Sequence, residues 1–157
     1  MRTLCYTLVL SLAFVGVVSG VSRAEHDEDK PISLKKPVQA PVSQKFGPTY
    51  HPILKREQMN LGVLFDVSGD TPVQATADGK VSEVNLNFDG ITVVIRHNQG
   101  YESVYSHLST VIVEEGIHVK TGTVIGYVTE EEGAGLYYEL RYRGTALDPL
   151  PFFDDEE

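Results

Sequence analysis

The sequence predicts an all-β domain, and three observations carry that expectation. Short runs rich in β-branched and aromatic residues recur along the chain, at 71–76, 79–86, 91–97, 101–107, 123–128 and 136–143. Glycine-bearing pairs (Asp78-Gly79, Asp89-Gly90, Gln99-Gly100, Glu115-Gly116 and Thr121-Gly122) separate them as turns. No stretch sustains the apolar period of a helix. Within the runs, Val81, Val84 and Leu86 mark one apolar face, and Val93 and Ile95 alternate with Thr92, Val94 and Arg96. The expected architecture is one antiparallel sheet system of about a hundred residues.

The chain has 157 residues, the length of one ordinary domain. Acidic residues outnumber Lys plus Arg by 22 to 13, a net charge of -9. That sign argues against nucleic acid as a partner, because phosphate binding needs clustered positive charge. It also disfavours electrostatic adhesion to an anionic envelope polymer.

Residues 1–24 read as a secretory signal. Arg2 precedes an almost unbroken apolar run at 8–18, and Ser22-Arg23-Ala24 is a small-x-small cleavage site. The run is short for a bilayer span, so no membrane span is expected after cleavage; an uncleaved anchor is the rival reading. The single cysteine, Cys5, would leave with the signal, which excludes a disulfide framework and a thiolate metal site. Residues 25–45 are polar and carry Pro31, Pro37 and Pro41, the texture of a disordered linker or arm. The folded domain is expected over 46–153, followed by an acidic tail at 154–157.

The stretch FGPTYHPILKREQMNLGVLFDVSGDTPVQATADGKV resembles the start of a lysostaphin-type (LytM, M23) peptidase domain. Phe46-Gly47, His51-Pro52-Ile53-Leu54, Gly62, Phe65, Thr71-Pro72-Val73 and Asp78-Gly79 fall in register with that family. Tyr105-Ser106-His107-Leu108 resembles its Y-x-H-L signature, Val119-Lys120-x-Gly122-x-x-Ile125-Gly126 its V-x-x-G-x-x-I-G turn, and Asp148-Pro149 its closing D-P. The segment from Leu136 to Arg141 is similar to its H-L-H-F-E-x-R strand. The resemblance implies an antiparallel β-sheet with a groove for a peptidoglycan peptide.

It also implies a zinc ion held by the His and Asp of H-x-x-x-D and the second His of H-x-H, with an open position for a water that the metal acidifies. Two further histidines would serve as base and oxyanion partner. Carried onto this chain, the ligand positions are Asn60, Leu64 and Tyr137, and the first His of H-x-H is Gly135. Only His107 keeps its family residue. A carboxamide oxygen is a poor zinc ligand, leucine is none, and a phenol of ordinary pKa about 10 stays protonated at neutral pH. No shift of register restores the pattern: none of His26, His51, His97, His107 and His118 has an Asp four residues later, and no H-x-H occurs. No metal or other cofactor is expected. His107, with no metal or electrophile beside it, reads as an inherited structural histidine or as a groove residue that hydrogen-bonds a bound peptide.

The groove set is therefore expected to be Asn60, Leu64, Tyr105, His107, Gly135 and Tyr137, with Leu64 and Tyr137 making it dry and apolar. Three glutamates at 130–132 would form an acidic rim. The resemblance extends to the amidase-activating LytM factors, degenerate members that bind a peptidoglycan amidase and relieve its autoinhibition. The leading expectation is a catalytically inactive domain in the periplasm or cell envelope whose partner is an amidase-type peptidoglycan hydrolase. The alternatives are a module that binds or scaffolds peptidoglycan peptide without cleaving it, and a zinc endopeptidase with unconventional ligands. A lipoyl-type carrier is a further alternative, disfavoured because no lysine sits in the hairpin such carriers modify.

Overall fold

A computed structural model describes residues 32–51, 53, 55–67, 69–129 and 135–154. The expected signal, the first part of the arm, the glutamate rim and most of the acidic tail lie outside the described residues. The described chain forms thirteen strands and no α-helix: β1 (Val42–Gln44), β2 (Gly47–His51), β3 (Arg56–Asn60), β4 (Val63–Phe65), β5 (Thr71–Gln74), β6 (Gly79–Asn87), β7 (Gly90–Arg96), β8 (Tyr101–Leu108), β9 (Thr110–Val111), β10 (His118–Val119), β11 (Val124–Val128), β12 (Leu136–Tyr142) and β13 (Thr145–Leu147). Every pairing between them is antiparallel.

The largest sheet has the order β1-β4-β12-β8-β7-β6-β10, with β13 added to β12. A second sheet has the order β5-β11-β9, and β2-β3 form a separate hairpin. The six predicted runs correspond to β5, β6, β7, β8, β11 and β12. One apolar cluster joins the two larger sheets, drawing Val73, Ile125 and Val128 from the second and Phe65, Val81, Ile95, Leu136 and Leu140 from the first. The alternation along β12 explains this: Leu136, Tyr138 and Leu140 face the cluster, while Tyr137 and Arg141 face the other way.

The arm expected over 25–45 is, from Ile32 onward, part of the domain. Leu34 is fully buried and Val38 nearly so. The Leu34 amide donates to the Phe152 carbonyl at 2.8 Å, and the Asp154 amide donates to the Leu34 carbonyl at 2.9 Å. The Lys35 and Gln74 amides donate to Thr76 and Pro37 carbonyls, and β1 pairs with β4. The prolines that forbid a helix are compatible with an extended segment laid along the sheets. Its few apolar side chains close the open end of the cluster.

Tyr105 and Tyr138 anchor the interior. Both are fully buried, with ring centroids 5.3 Å apart in an edge-to-face arrangement. Their hydroxyls lie 3.0 Å and 3.1 Å from Thr76 Oγ1, and the Thr76 amide donates to the Tyr105 hydroxyl at 2.9 Å. His97 extends this polar thread to the surface. Its Nδ1 lies 2.8 Å from the Asp78 carbonyl, which only accepts, so Nδ1 carries the proton and Nε2 accepts from Ser103 Oγ at 2.7 Å. Burial pushes the His97 pKa below its usual 6.5. Asp78 also fixes the turn at Thr121-Gly122, accepting from Lys120 Nζ, the Thr121 amide and Thr121 Oγ1 at 2.7–3.0 Å.

Candidate functional site

The face of the large sheet turned away from the core carries the groove. Leu64, Tyr137 and Ser106 are direct cross-strand neighbours on β4, β12 and β8, so their side chains share that face. The β2-β3 hairpin supplies Gln58 and Asn60 to one wall, and the tip of the β6-β7 hairpin supplies Phe88 and Asp89 to the other. The open space between them is about 530 Å³.

The ligand positions implied by the family meet here. Tyr137 donates its hydroxyl proton to Asn60 Oδ1 at 3.3 Å, and Asn60 Nδ2 donates to the Lys45 carbonyl at 2.7 Å. Leu64 is half-buried at the register position opposite Tyr137. Gly62 makes this contact possible: a Cβ there would stand 2.3 Å from the Tyr138 carbonyl oxygen and 3.0 Å from the Tyr137 ring. Gly135 is equally constrained, with φ of +64° and space for a Cβ only 2.2 Å from the Phe65 carbonyl oxygen. A histidine at Gly135, as the H-x-H pattern asks, requires the backbone to move.

The donor set does not fit a zinc ion. Leu64 has no donor atom, and the Asn60 carboxamide is engaged on both sides. Partial burial, with the neighbouring Glu139 carboxylate adding to it, pushes the Tyr137 pKa up to about 12, so the phenol stays protonated. Glu139 is itself 8% exposed and held by Arg141 through Nε at 2.9 Å and Nη2 at 2.5 Å. Among the described residues, no three His, Cys, Asp or Glu side chains converge as a metal-binding group.

His107 lies in the groove and is unusual in two ways. Its φ is +67°, a left-handed conformation seldom taken by a residue with a Cβ. Its Nε2 lies 3.6 Å from Asp89 Oδ2, while its Nδ1 is buried without a hydrogen-bond partner. Its ring is tilted against Tyr137 with centroids 5.9 Å apart.

Three expectations about the site are corrected. Tyr105 is not a groove residue: it is fully buried on the core face. The cause is a bulge. Ile91 and Val93 on β7 pair with Leu108 and Tyr105 on β8, so one residue of β7, Thr92, opposes two of β8, Ser106 and His107. Simple alternation would put Tyr105 and His107 on one face, and the bulge turns His107 to the other. Gly135 sits at the end of β12 and lends the groove no side chain. The groove is also not dry. Besides Tyr137 its lining includes the carboxamides of Gln44, Gln58, Asn60 and Asn87 and the hydroxyls of Thr92 and Ser106. The sequence does not announce these, because Gln44, Asn87 and Thr92 are ordinary surface residues until the hairpins bring them together.

A sheet with this groove and this strand order defines a lysostaphin-type peptidase scaffold. The model of peptidase family M23 matches residues 58–149, and the chain belongs to that family. It is 41% identical over 118 residues to an uncharacterised metalloprotease of Haemophilus influenzae, covering 71% of this chain and 25% of that protein. It is 35% identical over 124 residues to the murein hydrolase activator EnvC of Escherichia coli, covering 72% of this chain and 30% of that protein. Among solved structures, a zinc-containing peptidase from Vibrio cholerae superposes with a TM-score of 0.67 at 30% identity, covering 74% of this chain and 39% of that one. The chain thus spans about a quarter to a third of the length of these curated relatives.

Proposed function

We propose that this chain is an M23 domain that binds rather than cleaves, and that it acts in the periplasm or cell envelope as a regulator of an amidase-type peptidoglycan hydrolase. The observation that carries this reading is the state of the three ligand positions. Asn60, Leu64 and Tyr137 form a hydrogen-bonded and apolar seam where a metalloenzyme of this fold needs converging imidazoles and a carboxylate. Similarity to a murein hydrolase activator supports the regulatory half of the proposal. The apolar side chains a protein partner would use are on the outer face of the β2-β3 hairpin, where Tyr50 is 61% and Met59 53% exposed.

The test is release of soluble fragments from purified sacculi. The domain alone, with excess zinc, should release nothing above background, and it should accelerate release by an envelope hydrolase. Met59→Asp and Tyr50→Ser should remove that acceleration while the melting temperature stays unchanged. Zinc-dependent release by the domain alone would overturn the reading. A second reading, a module that holds peptidoglycan without cleaving it, is favoured by the carboxamides and hydroxyls of the groove.

A further inference from the structure

We propose that the tip of the β2-β3 hairpin docks on an anionic phospholipid surface, an inference separate from the regulatory reading. The hairpin is unpartnered in the fold. Its strands pair only with each other, and every residue from Pro48 to Met59 whose burial is described is exposed. A two-stranded ribbon wet on both faces is marginally stable in water and leaves its apolar side chains uncovered. Ile53, 84% exposed, stands at the turn between the strands. Lys55 follows with a left-handed backbone, φ +48°, and Arg56 opens β3. Both cations are exposed, and neither has an ion-pair partner among the described residues.

The order of these groups along the hairpin identifies the surface. An aliphatic side chain at the apex with two cations directly behind it matches the layering of a bilayer, hydrocarbon beneath phosphate. Lys55 and Arg56 follow Ile53 within about 10 Å of extended chain, comparable to the thickness of one headgroup layer. Glu57 pairs in register with Tyr50 and Arg56 with His51, so the acid and the cation project from opposite faces. The net charge of -9 opposes docking only at short range from the body of the domain. Salt confines that repulsion to about 8 Å, and the five residues of β3 carry the tip about 16 Å from the base at Asn60. The β6-β7 tip is the contrast: Phe88 is also fully exposed, but Asp89 follows it and no lysine or arginine occurs from Val81 to Ile95. A protein docked on Tyr50 and Met59 would cover one face of the β2-β3 hairpin and leave its apex in water. A bilayer surrounds a convex tip from every side.

The experiment uses residues 25–157, which contain the whole described fold. The probes are vesicles of phosphatidylglycerol and phosphatidylcholine in equal parts, with phosphatidylcholine vesicles as the reference. The chain has no tryptophan, so Ile53→Trp and, as a control, Phe88→Trp each place one reporter at a tip. On the anionic vesicles the Ile53→Trp emission should move to shorter wavelength and the Phe88→Trp emission should not. Sedimentation with vesicles should show binding about tenfold weaker to phosphatidylcholine alone, and about fivefold weaker when salt rises from about 0.1 M to about 0.5 M. Ile53→Asp, and the double variant Lys55→Glu with Arg56→Glu, should each weaken binding about tenfold. All three positions are exposed, so the melting temperature should not change. The inference is overturned by absence of sedimentation with up to about 5 mM lipid, by equal binding to the two kinds of vesicle, by unchanged binding of both variants, or by an emission shift at position 88 and none at 53. Loss of hydrolase acceleration in Ile53→Asp, with no vesicle binding by the parent chain, would assign the tip to a protein partner instead.

Discussion

Tyr137 and Tyr138 are consecutive residues of β12 with opposite fates. Tyr138 is sealed in the core, its hydroxyl beside Thr76 and its ring against Tyr105. Tyr137 is half-buried on the other face, bonded to Asn60 and open to the groove. The two histidines of adjacent strands repeat the contrast: His97 has a partner on each ring nitrogen, while His107 keeps a buried nitrogen without one and a left-handed backbone. On the core side Tyr105, Tyr138 and His97 all have hydrogen-bond partners. The groove face holds His107, whose unpartnered nitrogen and left-handed φ lie where a binding surface is expected to keep such features.

The comparison breaks if the two tyrosines respond alike to truncation. Tyr138→Ala should cost about 3–5 kcal/mol in urea denaturation, as large-to-small changes in a packed core do. Tyr137→Ala should cost about 1 kcal/mol or less, because water reaches the vacated space. Gly62→Ala tests the seam between the faces. Its Cβ would collide with the β12 backbone, and a loss of about 1–3 kcal/mol is expected.

The pH dependence sharpens the histidine half of the contrast. The folded His97 pKa lies below 6.5, so the unfolded chain takes up the proton first as pH falls. The contribution of neutral His97 to stability is complete above about pH 6.5 and declines below it, towards the lowered folded value. The denaturation midpoint measured across this window should fall on acidification, and His97→Gln should flatten that slope.

At His107 the expected sign is reversed. His107→Gly relieves the left-handed conformation and frees the unfolded chain, for a net gain of about 0.5 kcal/mol. A loss of stability would show that the ring's contacts outweigh the strain. The smallest expected effect is that of a chelator: excess EDTA should leave the melting temperature within about 1 °C, since a structural metal would contribute far more.

Much of the fold was legible in the sequence. The runs at 79–86, 91–97 and 136–143 became β6, β7 and β12 because each alternates strongly and ends at a glycine-bearing turn or loop. The strands not foreseen are short or lack apolar alternation. β1 has three residues and β3 reads Arg-Glu-Gln-Met-Asn; both form because a neighbour supplies the pairing. Within the site, Asn60, Leu64, His107 and Tyr137 were legible through family register; the structure brings Asn60, His107 and Tyr137 into the groove lining and sets Leu64 opposite Tyr137 in the sheet. Tyr105 was misplaced because a bulge in β8 has no local signature in Tyr-Ser-His-Leu. The carboxamides of Gln44, Gln58 and Asn87 were not legible because they come from three separate strands, β1, β3 and β6.

By itself the sequence determined the β class, the turns and the chemistry of the ligand positions, since side-chain period, glycine placement and donor atoms are properties of the residues alone. Only the tertiary structure decided that the segment from Ile32 closes the core, that Tyr105 faces inward while His107 faces the groove, and that the groove is polar. Each of these depends on which strand lies beside which and in what register. That register is set by pairing partners far away in the chain, and one extra residue in a bulge inverts the direction of every side chain beyond it.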